Sequence, residues 1–172
     1  MNIELVKENE LEKVAQLYDK LNDYLSENQN YPGWKKGIYP TLETAKEAFA
    51  QKSLFAAKID GQIAGTVILN NQQPPVYNTL NWKFDGNVLV IHTLAIDPDF
   101  MSKGVGGALL EFTEAFAQIE GYTSIRLDVS EQNNPAIKLY TKKGYSYVGK
   151  VDLSLENLTK GKILYECFEK KI

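Results

Sequence analysis

The chain has 172 residues, and its 19 Lys or Arg against 22 Asp or Glu give a formal net charge of −3 with the one histidine neutral. This balance argues against binding to nucleic acid or an anionic membrane, because both need clustered positive charge. With 44% hydrophobic and 24% charged residues the composition is that of an ordinary globular protein. We expect one domain over residues 1–172.

Cys167 is the only cysteine, which excludes an internal disulfide and a cysteine-clustered zinc site. The first residues form neither a basic leader nor an apolar signal segment, and no run approaches roughly eighteen apolar residues. We therefore expect an unexported, cytoplasmic protein that binds no metal. Cys167 itself is expected to be a small core residue of the last strand.

The first third of the chain predicts a strand, two helices and a loop. Ile3 to Val6 is typical of a short strand. Apolar residues three and four apart then predict a helix with one buried face: Leu11, Val14, Leu17, Tyr18, Leu21 and Leu25. A turn-rich loop follows from Asn28 to Pro40. Thr41 is the expected N-cap of the second helix, whose inner face would carry Ala45, Ala48 and Phe49.

The middle of the chain predicts a hairpin and a central strand. Two β-type runs, Leu54 to Ile59 and Gln62 to Leu69, are joined by Asp60-Gly61, the dipeptide that a type I′ turn prefers. A polar connection begins at Asn70, and Val88 to Ile96 is nearly all apolar. Such a run is typical of a strand covered on both faces.

The remaining elements alternate between helix and strand. Gly104 to Glu120 predicts a helix that Gly121 ends, and Ile125 to Val129 alternates as a strand does. Pro135 to Lys143 predicts a short helix. Two strands follow, near Tyr145 to Leu153 and Ile163 to Phe168. The order β-α-α-β-β-β-α-β-α-β-β predicts an α+β (mixed α/β) domain with one large sheet.

A glycine-rich turn, residues 101–107, connects the central strand to the helix after it. The first amides of a helix have no carbonyl partners and lie at the positive end of its dipole, so a phosphate can accept their hydrogen bonds. Gly104, Gly106 and Gly107 carry no side chain that would block its approach. The alternative is a strand–helix turn that uses glycine for packing alone.

Two nucleotide-binding motifs fit this turn poorly. A Walker A loop needs a lysine after its glycines, and none follows here. A dinucleotide fingerprint needs a glycine three positions after Gly106, where the chain has Leu109.

Two motifs resemble those of the GNAT superfamily of acyl-CoA-dependent N-acetyltransferases. The first is Leu94-x-Ile96-x-Pro98 followed by Met101-x-x-Gly104-x-Gly106. The second runs from Asn133 through Ala136, Leu139, Tyr140 and Gly144 to Tyr145. Met101 departs from the usual Arg or Gln, and Tyr145 departs from the usual Phe. The resemblance covers essentially the whole chain and implies a GNAT-like fold, with one mixed, mostly antiparallel sheet of about six or seven strands and helices on both faces.

The resemblance implies that acetyl-CoA is a cosubstrate whose acetyl group passes directly to a primary amine in a ternary complex. Backbone N–H groups of Leu94, Ala95 and Ile96 would bind the thioester carbonyl. The pyrophosphate would be held by Met101, Ser102, Lys103, Gly104, Val105, Gly106 and Gly107. Asn133 would contact the pantetheine or its diphosphate arm, and Lys142 would lie near the ribose phosphate. A solvated helix face is the alternative for Lys142.

The same resemblance makes Tyr140 the acid that protonates the departing thiolate, since a phenol stays protonated at neutral pH. Its alternative is an aromatic that packs a short helix against the sheet. His92 lies two residues before Leu94, and because an imidazole is the side chain suited to proton transfer near neutral pH, it is a candidate base for the incoming ammonium group. Its alternative is a hydrogen-bonded core histidine.

Aromatic residues in the two long loops are the candidate acceptor site: Tyr31, Trp34, Tyr39, Tyr77 and Trp82. Their ring faces could line a pocket for an amine or cap the edge of the core. The acceptor, small molecule or peptide, is not determined by the sequence. A catalytically silent acyl-CoA-binding regulator and a nucleotide-binding domain are the alternative functions. Exposed strands near the C-terminus leave a homodimer open.

Overall fold

The computed structural model of the chain describes residues 1–153 and 164–172. Within them the strands are β1 (Asn2–Leu5), β2 (Leu54–Ile59), β3 (Gln62–Asn70), β4 (Val88–Ile96), β5 (Ser124–Ser130), β6 (Ser146–Asp152) and β7 (Leu164–Lys171). The helices are α1 (Leu11–Glu27), α2 (Leu42–Ala50), α3 (Val105–Ile119) and α4 (Asn134–Lys142). The predicted order of elements is confirmed. Ile163, the predicted start of the last strand, lies outside the described residues.

The strands follow the order β1-β2-β3-β4-β5-β7-β6 in one seven-stranded sheet. The β4–β5 pair is parallel, and the β1–β2, β2–β3, β5–β7 and β6–β7 pairs are antiparallel. The predicted mixed, mostly antiparallel sheet is therefore confirmed. No helix within the described residues is long and apolar enough to cross a membrane.

The chain divides into two compact units. Unit 1 comprises residues 1–30, 34–69 and 92–112, and unit 2 comprises residues 31–33, 70–91 and 113–172. In unit 1 the predicted apolar face of α1 is buried, and it packs with α2, β2 and β3 around one hydrophobic cluster. Burial of such a face supplies most of the stability of a helix of this length.

Two short sequence motifs of unit 1 form the predicted local structure. Thr41 caps α2, and its Oγ1 accepts a hydrogen bond of 3.4 Å from the amide of Thr44. Asp60 and Gly61 have φ of 48° and 77°, as the predicted type I′ turn requires. Both predictions are confirmed because they depend only on neighbouring residues.

Unit 2 has its own cluster of buried residues: Tyr77, Val88, Val90, Val151 and Cys167. The connection before β4 contributes to it, because a short 3-10 helix at Pro75–Thr79 buries Tyr77. The predicted core position of Cys167 is confirmed, and burial raises the pKa of its thiol to about 12. A thiol with that pKa is not a nucleophile at neutral pH.

Candidate active site

β4 changes its backbone conformation partway along its length. Its parallel register with β5 runs from Val88 opposite Ser124 to Ile91 opposite Leu127. Two residues later, Thr93 has a φ of 41°, in the left-handed region that β-branched residues rarely adopt. Outliers of this kind cluster at functional sites. The predicted acetyl-binding residues, 94–96, follow directly.

A hydroxyl pair lies at this point in unit 1. Tyr39 and Thr93 share a short hydrogen bond between their side-chain oxygens, 54 residues apart in sequence. Tyr18, fully buried, accepts a weaker bond of 3.4 Å from Thr66 of β3, and burial raises the pKa of its phenol. His92, the predicted base, is half-buried immediately before Thr93.

The turn after β4 is fixed by carboxylates. Asp97 donates its amide to the carbonyl of Ala64 at 3.0 Å, and its Oδ1 accepts from the amide of Asp99 at 2.9 Å. Lys20 of α1 places its Nζ 2.6 Å from Asp97 and 2.6 Å from Asp99. Hydrogen bonds to the two carboxylates raise the pKa of Lys20. The single positive charge of Lys20 is thus shared between two carboxylates beside the glycine-rich turn.

The glycine-rich turn leads into the first residues of α3. Gly104 has a φ of 81° and α3 begins at the next residue. Ala108 makes the first bond of the helical ladder, to the carbonyl of Gly104 at 3.0 Å, so the amides of Val105, Gly106 and Gly107 precede that ladder. A pyrophosphate fits such a set of donors at the positive end of a helix.

Two other predicted amides of the turn are engaged within it. Met101 donates to the carbonyl of Pro98 at 3.3 Å, and Lys103 donates to that of Phe100 at 3.3 Å. The side chain of Met101 packs against the hydrophobic cluster of unit 1. Met101 therefore makes an apolar contact with the core at the position where the GNAT motif usually has Arg or Gln. The Lys103 ammonium lies 5.0 Å from the centre of the Phe100 ring.

Gly65 of β3 supports this turn, and the sequence analysis did not identify it. A Cβ atom there would lie 2.9 Å from Cδ1 of Ile96, 3.0 Å from the carbonyl oxygen of Ala95 and 3.0 Å from Cγ1 of Val105. The missing side chain lets the end of β4 and the start of α3 approach β3. A glycine inside a predicted strand is a signal of such an approach.

Unit 2 contains the second motif. Asn133 is the N-cap of α4, and its Oδ1 accepts from the amide of Ala136 at 3.2 Å. Tyr140 is buried on the inner side of α4, with its ring 5.9 Å from that of Tyr145 and 6.4 Å from that of Phe168. Burial and the nearby Asp128 raise the pKa of Tyr140. Lys142, by contrast, is exposed in the last turn of α4.

A carboxyl group of β5 that sequence analysis missed lies among these residues. Asp128 stands opposite Cys167 in the register of β5 and β7, and it accepts a hydrogen bond of 2.7 Å from the hydroxyl of Tyr77. Desolvation raises the pKa of Asp128, and the bond from Tyr77 partly offsets this effect. The only sequence signal for Asp128 is that it alternates with apolar residues along β5. That pattern favours a side chain that faces solvent, not one enclosed by other residues.

The candidate acceptor aromatics are packed within their own units. In unit 1 the rings of Trp34 and Tyr39 meet edge to face at 5.8 Å. In unit 2 the indole N–H of Trp82 donates to the carbonyl of Tyr77 at 2.8 Å. Arg126 stacks 4.2 Å above the Trp82 ring. Tyr31 is half-buried in unit 2.

Arg126 fixes the loop that carries Trp82. Its guanidinium donates to Gln73 at 2.6 Å and to the carbonyl of Phe84 at 2.7 Å. The planar guanidinium group thereby links two parts of the connection before β4, at Gln73 and at Phe84, to β5. In residues 1–153 and 164–172, no group of three or more His, Cys, Asp or Glu side chains is placed to hold a metal ion.

The chain is similar to known proteins in sequence and in fold. It is 26% identical over 137 residues to an uncharacterized N-acetyltransferase from Methanocaldococcus jannaschii, covering 74% of this chain and 57% of that protein, so it spans little more than half of that relative. A GNAT-family acetyltransferase structure from Streptococcus agalactiae superposes with a TM-score of 0.81 at 20% identity, over 99% of this chain and 95% of the other. The YncA protein of Salmonella typhimurium, solved with its cofactor acetyl-CoA, has a TM-score of 0.71 at 14% identity, over 99% and 92%.

The structural neighbours share the fold of this chain at low identity. The model of the acetyltransferase (GNAT) family matches residues 14–145, which include β4, the glycine-rich turn and α4. The chain therefore belongs to the acetyltransferase (GNAT) family.

Proposed function

We propose that this protein transfers the acetyl group of acetyl-CoA to a primary amine by direct attack in a ternary complex. The observation that carries the proposal is the glycine-rich turn, where the amides of Val105 to Gly107 precede the ladder of α3, the helix that follows β4. Family membership and a neighbour solved with acetyl-CoA support the same donor. A single domain over residues 1–172 stays a prediction.

The donor would bind through main-chain groups. In the proposal the pyrophosphate accepts from the amides of Ser102 and of residues 104–107, with Met101 and Lys103 shaping the turn. Leu94, Ala95 and Ile96 offer their amides to the thioester carbonyl. Asn133 contacts the pantetheine arm, and Lys142 the ribose phosphate. Backbone donors stabilise the developing oxyanion without reorganising during the reaction.

The chemistry then needs three proton transfers. The amine nitrogen forms a bond to the carbonyl carbon, the carbon–sulfur bond breaks, and the thiolate takes the proton of Tyr140. The surplus proton on the new amide nitrogen then restores the Tyr140 phenol. A raised pKa keeps the Tyr140 phenol protonated throughout the neutral range. His92, directly or through water, takes the proton that the ammonium substrate loses.

The acceptor is proposed to be a small-molecule or peptide amine, with Tyr31, Trp34, Tyr39 and Trp82 as its candidate contacts. Ring faces attract cationic amines, and the net charge of −3 favours their approach. A cytoplasmic location and a homodimer stay predictions.

Release of free thiol from acetyl-CoA, measured with polyamines, amino acids, aminoglycosides and short peptides, tests the proposal. We expect transfer to one amine class and a loss in kcat of at least about 100-fold in Tyr140→Phe. Tyr147→Phe, which removes the same atom at an exposed position of β6, is the control. Calorimetric binding of acetyl-CoA without thiol release to any amine would instead identify a silent acyl-CoA-binding protein.

A further inference from the structure

Tyr39 connects the loop before α2 to the strained residue of β4. We infer that Tyr39 is a positioning residue for acetyl transfer. Through its hydrogen bond to Thr93 it holds β4 in the conformation that aims the amides of residues 94–96 at the acetyl group. This inference rests on the proposed function and goes beyond it, since it assigns Tyr39 to the orientation of the donor in addition to contact with the acceptor.

The strand needs such support. Thr93 is β-branched, has a φ of 41° and is only 9% exposed. A residue of this type relaxes toward ordinary extended backbone unless its surroundings hold it. Its hydroxyl is the atom that Tyr39 engages. A change in φ at Thr93 rotates the peptide units that follow, so it redirects the amides of Leu94 and its neighbours.

Tyr39 is itself firmly held. Its amide donates to the carbonyl of Lys35 at 2.9 Å, and its own carbonyl accepts from Lys35 at 3.2 Å and from Asn22 Nδ2 at 3.3 Å. The ring rests edge to face on Trp34. Asn30 in turn bonds both the carbonyl and the amide of Trp34, at 2.6 Å and 3.1 Å. A phenol anchored in this way can set the position of Thr93 instead of following it.

The arrangement also joins two parts of unit 1. Trp34 and Tyr39 are candidate acceptor contacts, whereas residues 94–96 are the candidate donor contacts. A loop displaced by an ill-fitting acceptor would withdraw the Tyr39 hydroxyl from Thr93 and misdirect the donor amides. Small displacements of aligned groups cost large factors in rate. Well-fitting and ill-fitting acceptors would then differ in kcat.

Kinetics of three variants test the inference. Tyr39→Phe and Thr93→Val each delete one partner and should each lower kcat at least about tenfold, while the Kd of acetyl-CoA stays within about threefold. The double variant should lose no more than either single one, because both remove the same bond. Thr93→Ser keeps the hydroxyl and should retain kcat. Tyr24→Phe, at an exposed position of α1, is the control for loss of a phenol.

A structural readout separates this inference from the proposed function. The backbone amide resonance and hydrogen-exchange rate of Leu94 should change in Tyr39→Phe and Thr93→Val but not in Thr93→Ser or Tyr24→Phe. Unchanged Leu94 signals in both deletion variants, or full kcat in an active enzyme that carries them, would overturn the inference. If the unmodified protein transfers acetyl to no amine, the proposed function fails while the Leu94 signals still report whether Tyr39 sets the conformation of β4.

Discussion

The hydroxyl of Tyr77 donates a 2.7 Å hydrogen bond to Oδ2 of Asp128, 51 residues further along the chain. The bond brings the connection before β4 onto β5, on the strand face where Asp128 would otherwise meet solvent. Desolvation nevertheless dominates at this carboxyl and raises its pKa. Folding therefore shifts Asp128 toward its neutral form relative to the unfolded chain.

This preference predicts a pH-dependent effect of Asp128→Asn. A carboxyl with a raised folded pKa stabilises the fold below its unfolded pKa of about 3.9 and loses that contribution as pH rises through the folded value. The amide stays neutral and still accepts from Tyr77. We expect the free energy of unfolding of the variant, relative to the unmodified protein, to increase between pH 4 and pH 7 in urea titrations. Asp19→Asn, at an exposed site on α1, should show no such trend. A difference that shrinks with pH would contradict the argument.

Tyr145→Phe is expected to stabilise the protein. The Tyr145 hydroxyl is buried, and within the described part of the chain it has no hydrogen-bond partner. A buried hydroxyl that lost water without gaining a partner costs about 1–3 kcal/mol, so its removal should raise the free energy of unfolding by about 1 kcal/mol. Tyr147→Phe, exposed on the next strand, should change it by less than about 0.5 kcal/mol. Destabilisation by Tyr145→Phe would show that the hydroxyl is satisfied.

Lys20→Met should weaken the binding of acetyl-CoA. Without the lysine, Asp97 and Asp99 leave two uncompensated negative charges beside the glycine-rich turn. These charges would repel the pyrophosphate, although solvent weakens the repulsion. We therefore expect the KM of acetyl-CoA to rise about two- to threefold at low salt, with kcat unchanged. The rise should vanish in about 0.5 M NaCl, where charges are screened. Lys36→Met is the control, because it breaks a different lysine–aspartate pair, with Asp23, in which both side chains are about half exposed.

Gly65→Ala should lower both stability and donor affinity. The added methyl group would overlap Ile96 and Val105 and press on a carbonyl oxygen that has little freedom to move. Overpacking of this kind costs about 1–3 kcal/mol, and displacement of the start of α3 should raise the Kd of acetyl-CoA several-fold. Gly149→Ala is the comparison, since its Cβ would meet the flexible end of Leu80 at 2.7 Å in unit 2. Equal Kd values for the two variants would refute a role of Gly65 in the turn.

The sequence predicted both ends of β4 correctly, because the run is nearly all apolar and Asp97-Pro98 ends it. It did not predict the conformation of Thr93. Threonine favours extended backbone, and the group that holds it at a positive φ is a phenol 54 residues away. Local propensity carries no information about such a partner.

Asp128 illustrates a second limit of prediction from the sequence. Alternation along β5 places Arg126 and Asp128 on one face and apolar residues on the other, which is the pattern of a half-exposed strand. In unit 2 that face is covered by the connection before β4, through Tyr77, Trp82 and Phe84. A long polar segment gives no sequence signal for where it packs, so the buried carboxyl emerged only from the structure. The hydrogen-bond donors of the glycine-rich turn could be predicted from the sequence, because residues that are close in sequence determine them.

The position of β7 between β5 and β6 affects how unit 2 can fold. β6 precedes β7 in the chain yet pairs in the sheet with β7, which also pairs with β5. During vectorial synthesis β6 therefore has no partner strand until β7 has been made, and both of its edges stay open to other chains until then. Completion of this half of the sheet is a late event, and a chain that ended before Leu164 would leave β6 permanently unpaired.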